Sequence, residues 1–146
     1  MGTFNTSCRL QNPMDRKRTV QVSGLLVDSG SEFTWVDKET LKKISVKRER
    51  KDYAFVMANG QQITHSIGFA IIHVSDAVTL DEAVFAKAGD LQLLGARSME
   101  KLNRRMDGRA KKLVPGGPIL APSGLTIISG DSMEEAAQKA VSEAKR

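Results

Sequence analysis

The residues with the clearest chemical potential are Asp28, Ser29 and Gly30, which follow directly on the aliphatic run Leu25-Leu26-Val27. Such a run is typical of a rigid core strand, and it would hold the Asp28 carboxyl group at its end. A carboxylate at the edge of a low-dielectric core is costly unless it is paired, protonated or used in chemistry. Ser29 can fix neighbouring backbone through its hydroxyl, and Gly30 lets another backbone come close. The tripeptide is therefore the candidate acid–base group, with an ordinary surface turn as the alternative interpretation.

The remaining reactive side chains are weaker candidates, because none stands at a spacing that catalysis or metal binding requires. His65 and His73 fall in strand-like segments without Cys, Ser or carboxylate at ligand or triad spacing, which predicts structural or surface roles. Cys8 is the only cysteine, so it cannot form an internal disulfide, and one Cys with two His is too few for a structural zinc site. The acidic pairs Asp81-Glu82 and Glu134-Glu135 are expected in a turn and in a helix's first turn. We therefore expect neither a metal nor another cofactor.

The charge balance is basic and unevenly distributed. The chain has 22 Lys and Arg against 17 Asp and Glu, which leaves a net charge of +5. Clusters of this kind can bind phosphate backbones, although a solvated surface is the simpler interpretation. Trp35 and Tyr53 are the only Trp and Tyr, so platforms for base stacking are poorly supplied. The two basic clusters comprise Lys42, Lys43, Lys47, Arg48, Arg50 and Lys51, and Lys101, Arg104, Arg105, Arg109, Lys111 and Lys112.

Apolar patterning predicts an all-β, or mainly β, domain around these residues. Residues 19–27 alternate first and end fully apolar, as expected for a strand that starts half exposed and ends in the core. Residues 53–58 and 62–74 are also strand-like, and Asn59-Gly60 between them predicts a hairpin with a type I′ turn, which needs positive φ at both residues. Further strands are expected at 78–86, 91–95 and 111–115.

Helices are predicted to be few and short. Asp37 is suited to cap a helix that ends near residue 44, and apolar spacing predicts a second helix over 96–105. A capping box at 132–135 opens a third helix, which we expect to end near residue 144.

The length of 146 residues suits one domain rather than two. We place it at residues 18–115, after an N-terminal extension over 1–17 and before a linker and helical tail over 116–146. No window reaches 18 apolar residues, and the N-terminus lacks the apolar core of a secretion signal. The sequence therefore predicts a soluble, cytoplasmic protein that does not associate with membranes.

Three features in order resemble the retroviral-type, or retropepsin-like, aspartic proteases, including their small bacterial members. They are the Leu-Leu-Val-Asp-Ser-Gly-Ser-Glu-Phe-Thr run at 25–34, a hairpin around Asn59-Gly60, and Leu93-Leu94-Gly95 followed by a helical stretch. The resemblance covers about residues 18–115 and includes a closing strand at 113–115.

The resemblance implies a closed β-barrel or sheet with one main helix and a flap hairpin over the substrate. In that arrangement Asp28, Ser29 and Gly30 form the catalytic loop, with Ser29 bracing it against its symmetry mate. The flap residues would be Met57, Ala58, Asn59 and Gly60, and the residues crossing beside the loop would be Leu93, Leu94 and Gly95.

Peptide hydrolysis by such a site requires two carboxylates that share one proton, one activating a water and the other donating to the carbonyl oxygen. The chain has a single Asp-Ser-Gly, so the second carboxylate would be Asp28 of another copy across a two-fold axis. We therefore expect a homodimeric aspartic endopeptidase acting on a peptide or protein. Two alternatives stay open: the same fold binding peptides without efficient cleavage, and a basic β-domain that binds nucleic acid.

Overall fold

A computed structural model of the chain describes residues 4–120 and 126–127, and this part is mainly β, as predicted. Two short helices accompany the strands: α1 (Lys38–Lys43) and α2 (Ala96–Lys101). The strands are β1 (Asn5–Gln11), β2 (Thr19–Val27), β3 (Thr34–Asp37), β4 (Arg50–Val56), β5 (Gln62–Val74), β6 (Ala77–Ala86), β7 (Leu93–Leu94), β8 (Arg104–Asp107), β9 (Lys112–Pro115), β10 (Ile119–Leu120) and β11 (Thr126–Ile127).

Seven strands form one mixed sheet in the order β1-β2-β7-β3-β6-β5-β4. An additional pairing of β1 with β5 closes six of them into a ring, and β4 is attached to β5 outside it. The pairs β2–β7 and β3–β6 are parallel, whereas the other pairs in this sheet are antiparallel. β8 pairs with β9 and β10 with β11 in two small separate sheets.

The main hydrophobic core lies inside this ring and is built from alternate positions of its strands. Several of its aliphatic side chains are fully buried, and each contributes roughly 1.5–3 kcal/mol relative to exposure in water. They include Leu10, Leu25, Val27, Val36, Ile72 and Leu94. A second, smaller cluster surrounds Trp35 and Ile67 and includes the half-buried rings of Phe33, Tyr53 and Phe55.

The N-terminal residues contribute to the sheet rather than preceding it. β1 pairs with both β2 and β5, and Phe4, Cys8 and Leu10 are buried in the core. The domain boundary that we predicted at residue 18 therefore falls inside one continuous sheet. The cause is that the apolar residues Cys8 and Leu10 alternate with the polar residues Ser7, Arg9 and Gln11, a pattern that suits a strand with one face buried.

The two helices begin where they were predicted. Asp37 caps α1, and its carboxylate accepts a hydrogen bond of 3.3 Å from the Glu39 amide. The predicted helix over 96–105 is wrong at its end, because α2 stops at Lys101 and the chain continues as β8. Asn103 explains the stop: its φ of 51° is left-handed, and this conformation reverses the chain after a helix.

Most of the predicted tail, 116–146, including the predicted helix from 132 to 144, lies outside the described residues. Of that tail the structure gives β10 and β11, which pair with each other. Within the described part of the chain, no helix has the length and apolar character that crossing a bilayer demands.

Candidate active site

Asp28 lies at the carboxyl end of β2, and the strand that holds it there is β7. Leu26 and Val27 pair in parallel with Leu93 and Leu94. The Asp28 amide donates a hydrogen bond of 3.1 Å to the Leu94 carbonyl. Because Val27 and Leu94 are fully buried, this backbone junction is anchored in the core. The structure therefore places the two segments, which the family resemblance sets side by side, in adjacent parallel strands.

The Asp28 side chain is held by its own loop. Its Oδ1 accepts a hydrogen bond of 2.9 Å from the Gly30 amide, and its carbonyl accepts one of 3.2 Å from the Ser31 amide. A Cβ atom at Gly30 would lie 3.2 Å from the same Oδ1, so glycine leaves the carboxylate just enough room. Asp28 is half-buried, and Ser29 and Gly30 are exposed. Among residues 4–120 no cation forms an ion pair with Asp28, which leaves the carboxylate available to a ligand.

The start of α2 packs against the other half of this loop. The Ala96 amide donates to the Ser31 carbonyl at 2.7 Å, and the Arg97 amide donates to the Glu32 carbonyl at 3.2 Å. Gly95 permits this approach, since a Cβ atom there would lie 2.3 Å from the Phe33 carbonyl oxygen. Leu94 and Gly95 thus contact the loop directly, whereas Leu93 pairs with Leu26 and Trp35 in the neighbouring strands. Backbone hydrogen bonds therefore hold the loop on both sides, from β7 and from the start of α2.

A buried chain of hydrogen bonds lies behind Gly95, and the sequence analysis missed it. The Gly95 amide donates to Thr34 Oγ1 at 3.0 Å, and Ser98 Oγ donates to Asp81 Oδ2 at 2.8 Å. The 2.6 Å contact between the two hydroxyl groups joins these bonds. Since the Ser98 proton goes to Asp81, Thr34 must donate to Ser98. Lys101 Nζ contacts the other carboxylate oxygen of Asp81 at 3.0 Å.

The prediction that Asp81-Glu82 lies in a turn is wrong, because both residues belong to β6 and Asp81 is buried. Side chains alternate between the two faces of a strand. Asp81 therefore shares its face with Ala83 and Phe85, which belong to the main core. The same parity was readable from the sequence and could have located the carboxylate. Its partners Thr34 and Ser98 had no local signal, since they belong to other elements.

The β4–β5 hairpin forms as predicted, but with a different turn. The Gly60 amide donates to the Met57 carbonyl at 2.8 Å, and the Met57 amide donates to the Gln61 carbonyl at 2.8 Å. Gly60 is left-handed, with φ of 84°, whereas Asn59 is not, so the predicted type I′ turn is wrong. A three-residue loop with one left-handed glycine explains the pattern. Met57, Ala58, Asn59 and Gly60 are all exposed.

The hairpin approaches the Asp28 loop through its base and not through its tip. β5 pairs with β6 only from Ile67 onward, so the segment before it has β4 as its one strand partner among the described residues and projects from the sheet. At the base, the Phe33 ring lies 5.5 Å from Phe55 and 6.1 Å from Tyr53, measured between ring centroids. No hydrogen bond between described residues joins 57–60 to the loop at 28–33.

His65 links the same hairpin to the segment that precedes β7. It is buried, and its Nε2 lies 2.7 Å from Asp90 Oδ2, which also accepts a hydrogen bond from the Lys87 amide. Burial alone would raise the pKa of Asp90, but the Lys87 amide and His65 outweigh it and hold the pKa below its ordinary value. His65 Nδ1 is buried and has no hydrogen-bond partner within residues 4–120. The structural role predicted for His65 agrees with these contacts.

The basic clusters differ in their surroundings. The six residues of the first cluster are all exposed around the end of α1 and the start of β4. In the second cluster, Lys101 pairs with Asp81, and Arg104 forms a contact of 2.6 Å with Asp76. The second cluster is therefore partly committed to internal ion pairs. In the part of the chain that the structure describes, no three His, Cys, Asp or Glu side chains are grouped as metal ligands.

No protein-family model matches the sequence, and a search of curated proteins returns no match. The geometry around Asp28 is therefore the basis for a functional proposal.

Proposed function

We propose that the protein is a homodimeric aspartic endopeptidase of the retropepsin-like type, with Asp28 as the catalytic residue of each chain. The observation that carries the proposal is the junction of β2 with β7, where the Asp28 amide bonds to the Leu94 carbonyl beside the tightly packed Gly95. This junction presents, on an anchored loop, a carboxylate that forms no ion pair with a described residue. A projecting hairpin whose base contacts the same loop supports the proposal further.

In the proposed reaction, the Asp28 carboxyl groups of two copies share one proton, because two adjacent carboxylates cannot both ionise cheaply. The ionised group takes a proton from a water, whose oxygen attacks the peptide carbonyl carbon. The protonated group donates to the carbonyl oxygen, which gives a neutral tetrahedral intermediate. Collapse of this intermediate breaks the C–N bond, and the amine leaves with a proton returned by the dyad.

The surrounding residues have supporting roles in this proposal. Ser29, exposed beside Asp28, braces the loop against its symmetry mate. The substrate lies extended between the loop and the hairpin and gains backbone hydrogen bonds by strand addition. The hairpin is then the flap, and the exposed tip at Asn59 and Gly60 closes over the substrate and excludes water.

The test of catalysis is digestion of a peptide library between pH 4 and 8 by the wild type and by Asp28→Asn. Asp107→Asn is a matched control, because the Asp107 carboxylate also accepts backbone amides of its own turn, at 3.0 and 3.1 Å. We expect cleavage by the wild type and by Asp107→Asn, with loss of at least about a thousandfold in Asp28→Asn. Equal cleavage by all three proteins would disprove the assignment of Asp28.

The requirement for two copies is tested by mixing. An inactive Asp28→Asn chain that pairs with the wild type removes a wild-type chain from active dimers. With equal amounts and random pairing, activity per wild-type chain should fall to about half. Unchanged activity per wild-type chain, together with a monomer in equilibrium sedimentation, would contradict the dimeric site. A protein that retains peptides in both forms without cutting them would be the binding module instead.

A further inference from the structure

Two arginines stack on aromatic rings at the base of the hairpin. The Arg97 guanidinium carbon lies 5.1 Å from the centroid of the Phe33 ring, and that of Arg50 lies 5.5 Å from the centroid of Tyr53. The two rings contact each other edge-on, and both guanidinium groups lie within 4 Å of the Glu82 carboxylate, so the two arginines are neighbours. Cation–π contacts of this kind favour a fixed position for each group. We name these four residues together with Glu82 the arginine–aromatic patch.

The patch carries more positive than negative charge. Glu82 is the single carboxylate between the two arginines, with one oxygen 3.8 Å from Arg97 and the other 3.9 Å from Arg50. Both distances are too long for hydrogen bonds. No other carboxylate in the described chain forms an ion pair with either guanidinium. One positive charge in the patch is therefore left without a partner, and the hydrogen-bond donors of both arginines are unused by described residues.

The patch lies beside the Asp28 loop. The Arg97 amide donates to the Glu32 carbonyl, and Phe33 belongs to the same loop segment. Arg50 and Tyr53 belong to β4, the first strand of the hairpin. A peptide that runs between the loop and the hairpin would pass over this surface. The side chains of Arg97 and Arg50 are 36% and 53% exposed, so a ligand can reach both.

We infer that Arg97 and Arg50 bind a carboxylate side chain of the peptide substrate, so that the enzyme prefers sequences with an acidic residue to one side of the cleaved bond. This inference rests on the proposed function for the location of the substrate. A guanidinium presents parallel donors that match the two oxygens of a carboxylate. Because the aromatic rings already hold the arginines, little side-chain entropy is lost on binding. The carboxylate of the peptide neutralises the one positive charge of the two arginines that Glu82 does not balance.

The decisive measurement is binding, which does not depend on catalysis. An Asp28→Asn chain is immobilised and mixed with two decapeptide libraries of otherwise equal composition. In one library each position in turn is fixed as Glu, and in the other the same position is fixed as Gln. Retained peptides are counted by mass spectrometry. We expect Glu to be enriched about tenfold over Gln at one position, because one charge-assisted hydrogen bond accounts for a difference in affinity of that size. Arg97→Gln, introduced into the same chain, should abolish the enrichment, and Arg50→Gln should reduce it.

Two further variants separate charge recognition from folding. Arg105→Gln removes an exposed arginine of β8 and should leave the enrichment unchanged. Arg97→Glu should reverse the preference at the same position, so that Lys is retained over Gln and Glu is rejected. A folded Arg97→Gln chain that binds Glu and Gln libraries as the parent does would overturn the inference, as would equal retention of both libraries by the parent.

Cleavage by the wild type distinguishes this inference from the proposed function. If the parent enriches Glu peptides through Arg97 but the wild type cuts none of them, the patch stands as a binding site and the endopeptidase proposal fails. If the wild type cuts peptides without preference for Glu at any position, the endopeptidase stands and the inference fails. If the wild type cleaves peptides, its preference for Glu over Gln should also weaken as the salt concentration rises from 50 to 500 mM. A purely structural role of Arg97 would not produce this salt dependence.

Discussion

Ser98 donates a hydrogen bond of 2.8 Å to the Asp81 carboxylate, and both side chains are buried. The bond is the innermost link of the chain that runs through Thr34 to the Gly95 amide. The chain of hydrogen bonds connects the buried Asp81 carboxylate of β6 to the Gly95 backbone, which packs on the Asp28 loop. Asp81 is therefore the residue on which the polar interior behind the candidate site depends.

We predict that Asp81→Ala lowers the free energy of unfolding by about 3 kcal/mol, because it leaves the Ser98 hydroxyl without its acceptor and Lys101 without its partner. Ser98→Ala removes one link only and should cost about 1–2 kcal/mol. Urea denaturation followed by circular dichroism measures both values. Glu100→Ala, at an exposed position of the same helix, is the control and should change stability by less than about 0.5 kcal/mol. A similar small effect of Asp81→Ala would mean that the buried chain is not coupled to folding.

Gly95 offers a second test of the same region. An alanine Cβ would lie 2.3 Å from the Phe33 carbonyl oxygen and 2.5 Å from its carbon, and neither backbone atom can move freely. We expect Gly95→Ala to cost about 2–3 kcal/mol of stability, and more activity than this loss of stability explains, because the Asp28 loop must shift. Gly108→Ala is the matched control, since nothing lies within 4 Å of the added Cβ. Equal stability and equal peptide cleavage in the two variants would contradict the close packing.

The local features of this fold could be predicted because each has a short-range physical cause. β2, the hairpin and the Asp37 cap follow from alternation, turn residues and capping chemistry within a few residues. The turn type was mistaken because Asn-Gly is compatible with more than one hairpin loop, and pairing of the flanking strands selects among them. The second helix was predicted to end too late because Asn103 reverses the chain by a left-handed φ that residue type alone does not require.

In the candidate site, too, the contiguous motifs could be predicted and the contacts between distant residues could not. Asp28 could be singled out from sequence because its tripeptide is contiguous and follows an apolar run, whereas Leu93-Leu94-Gly95 was indicated only by the family resemblance. The stack of Arg97 on Phe33 and the contact of Glu82 with Arg50 were not predicted, because each pair is distant in sequence and depends on the closed sheet. Single-sequence patterns indicate which strands exist, but not which of their outward-facing side chains become neighbours.

We predict that protonation of His73 makes the free energy of unfolding depend on pH near neutrality. Its Nε2 donates to Gln11 Oε1 at 2.9 Å and its Nδ1 accepts from Arg9, so the neutral ring is fully bonded. Partial burial first, and then the charges of Arg9 and Arg16, lower the pKa of His73 below its ordinary value of 6.5. Between the lowered pKa and 6.5 the unfolded chain binds more protons than the folded one, so the stability contribution is present above pH 6.5 and is lost as pH falls.

We therefore expect the midpoint of thermal unfolding to fall between pH 7.5 and pH 5.5, and to fall less in His73→Gln, which has no titrating ring. The difference between the two proteins isolates His73 from the carboxylates, which titrate at lower pH. Identical pH dependence in both proteins would show that protonation of His73 does not oppose folding.

We predict that the Cys8 thiol does not react in the folded protein. It is 2% exposed in β1, and burial raises the pKa of its thiol from 9.0 to about 12. Because the thiolate is the reactive form, a pKa of about 12 leaves only about one thiol in ten thousand ionised at pH 8, against about one in ten for an ordinary cysteine. We expect a chromogenic disulfide reagent to label one thiol per chain rapidly in 6 M guanidinium chloride, and at least about a hundredfold more slowly without denaturant. Fast stoichiometric labelling of the native protein would show that β1 leaves the sheet on the timescale of the reaction, and the N-terminal strand would then not be a stable member of the closed ring.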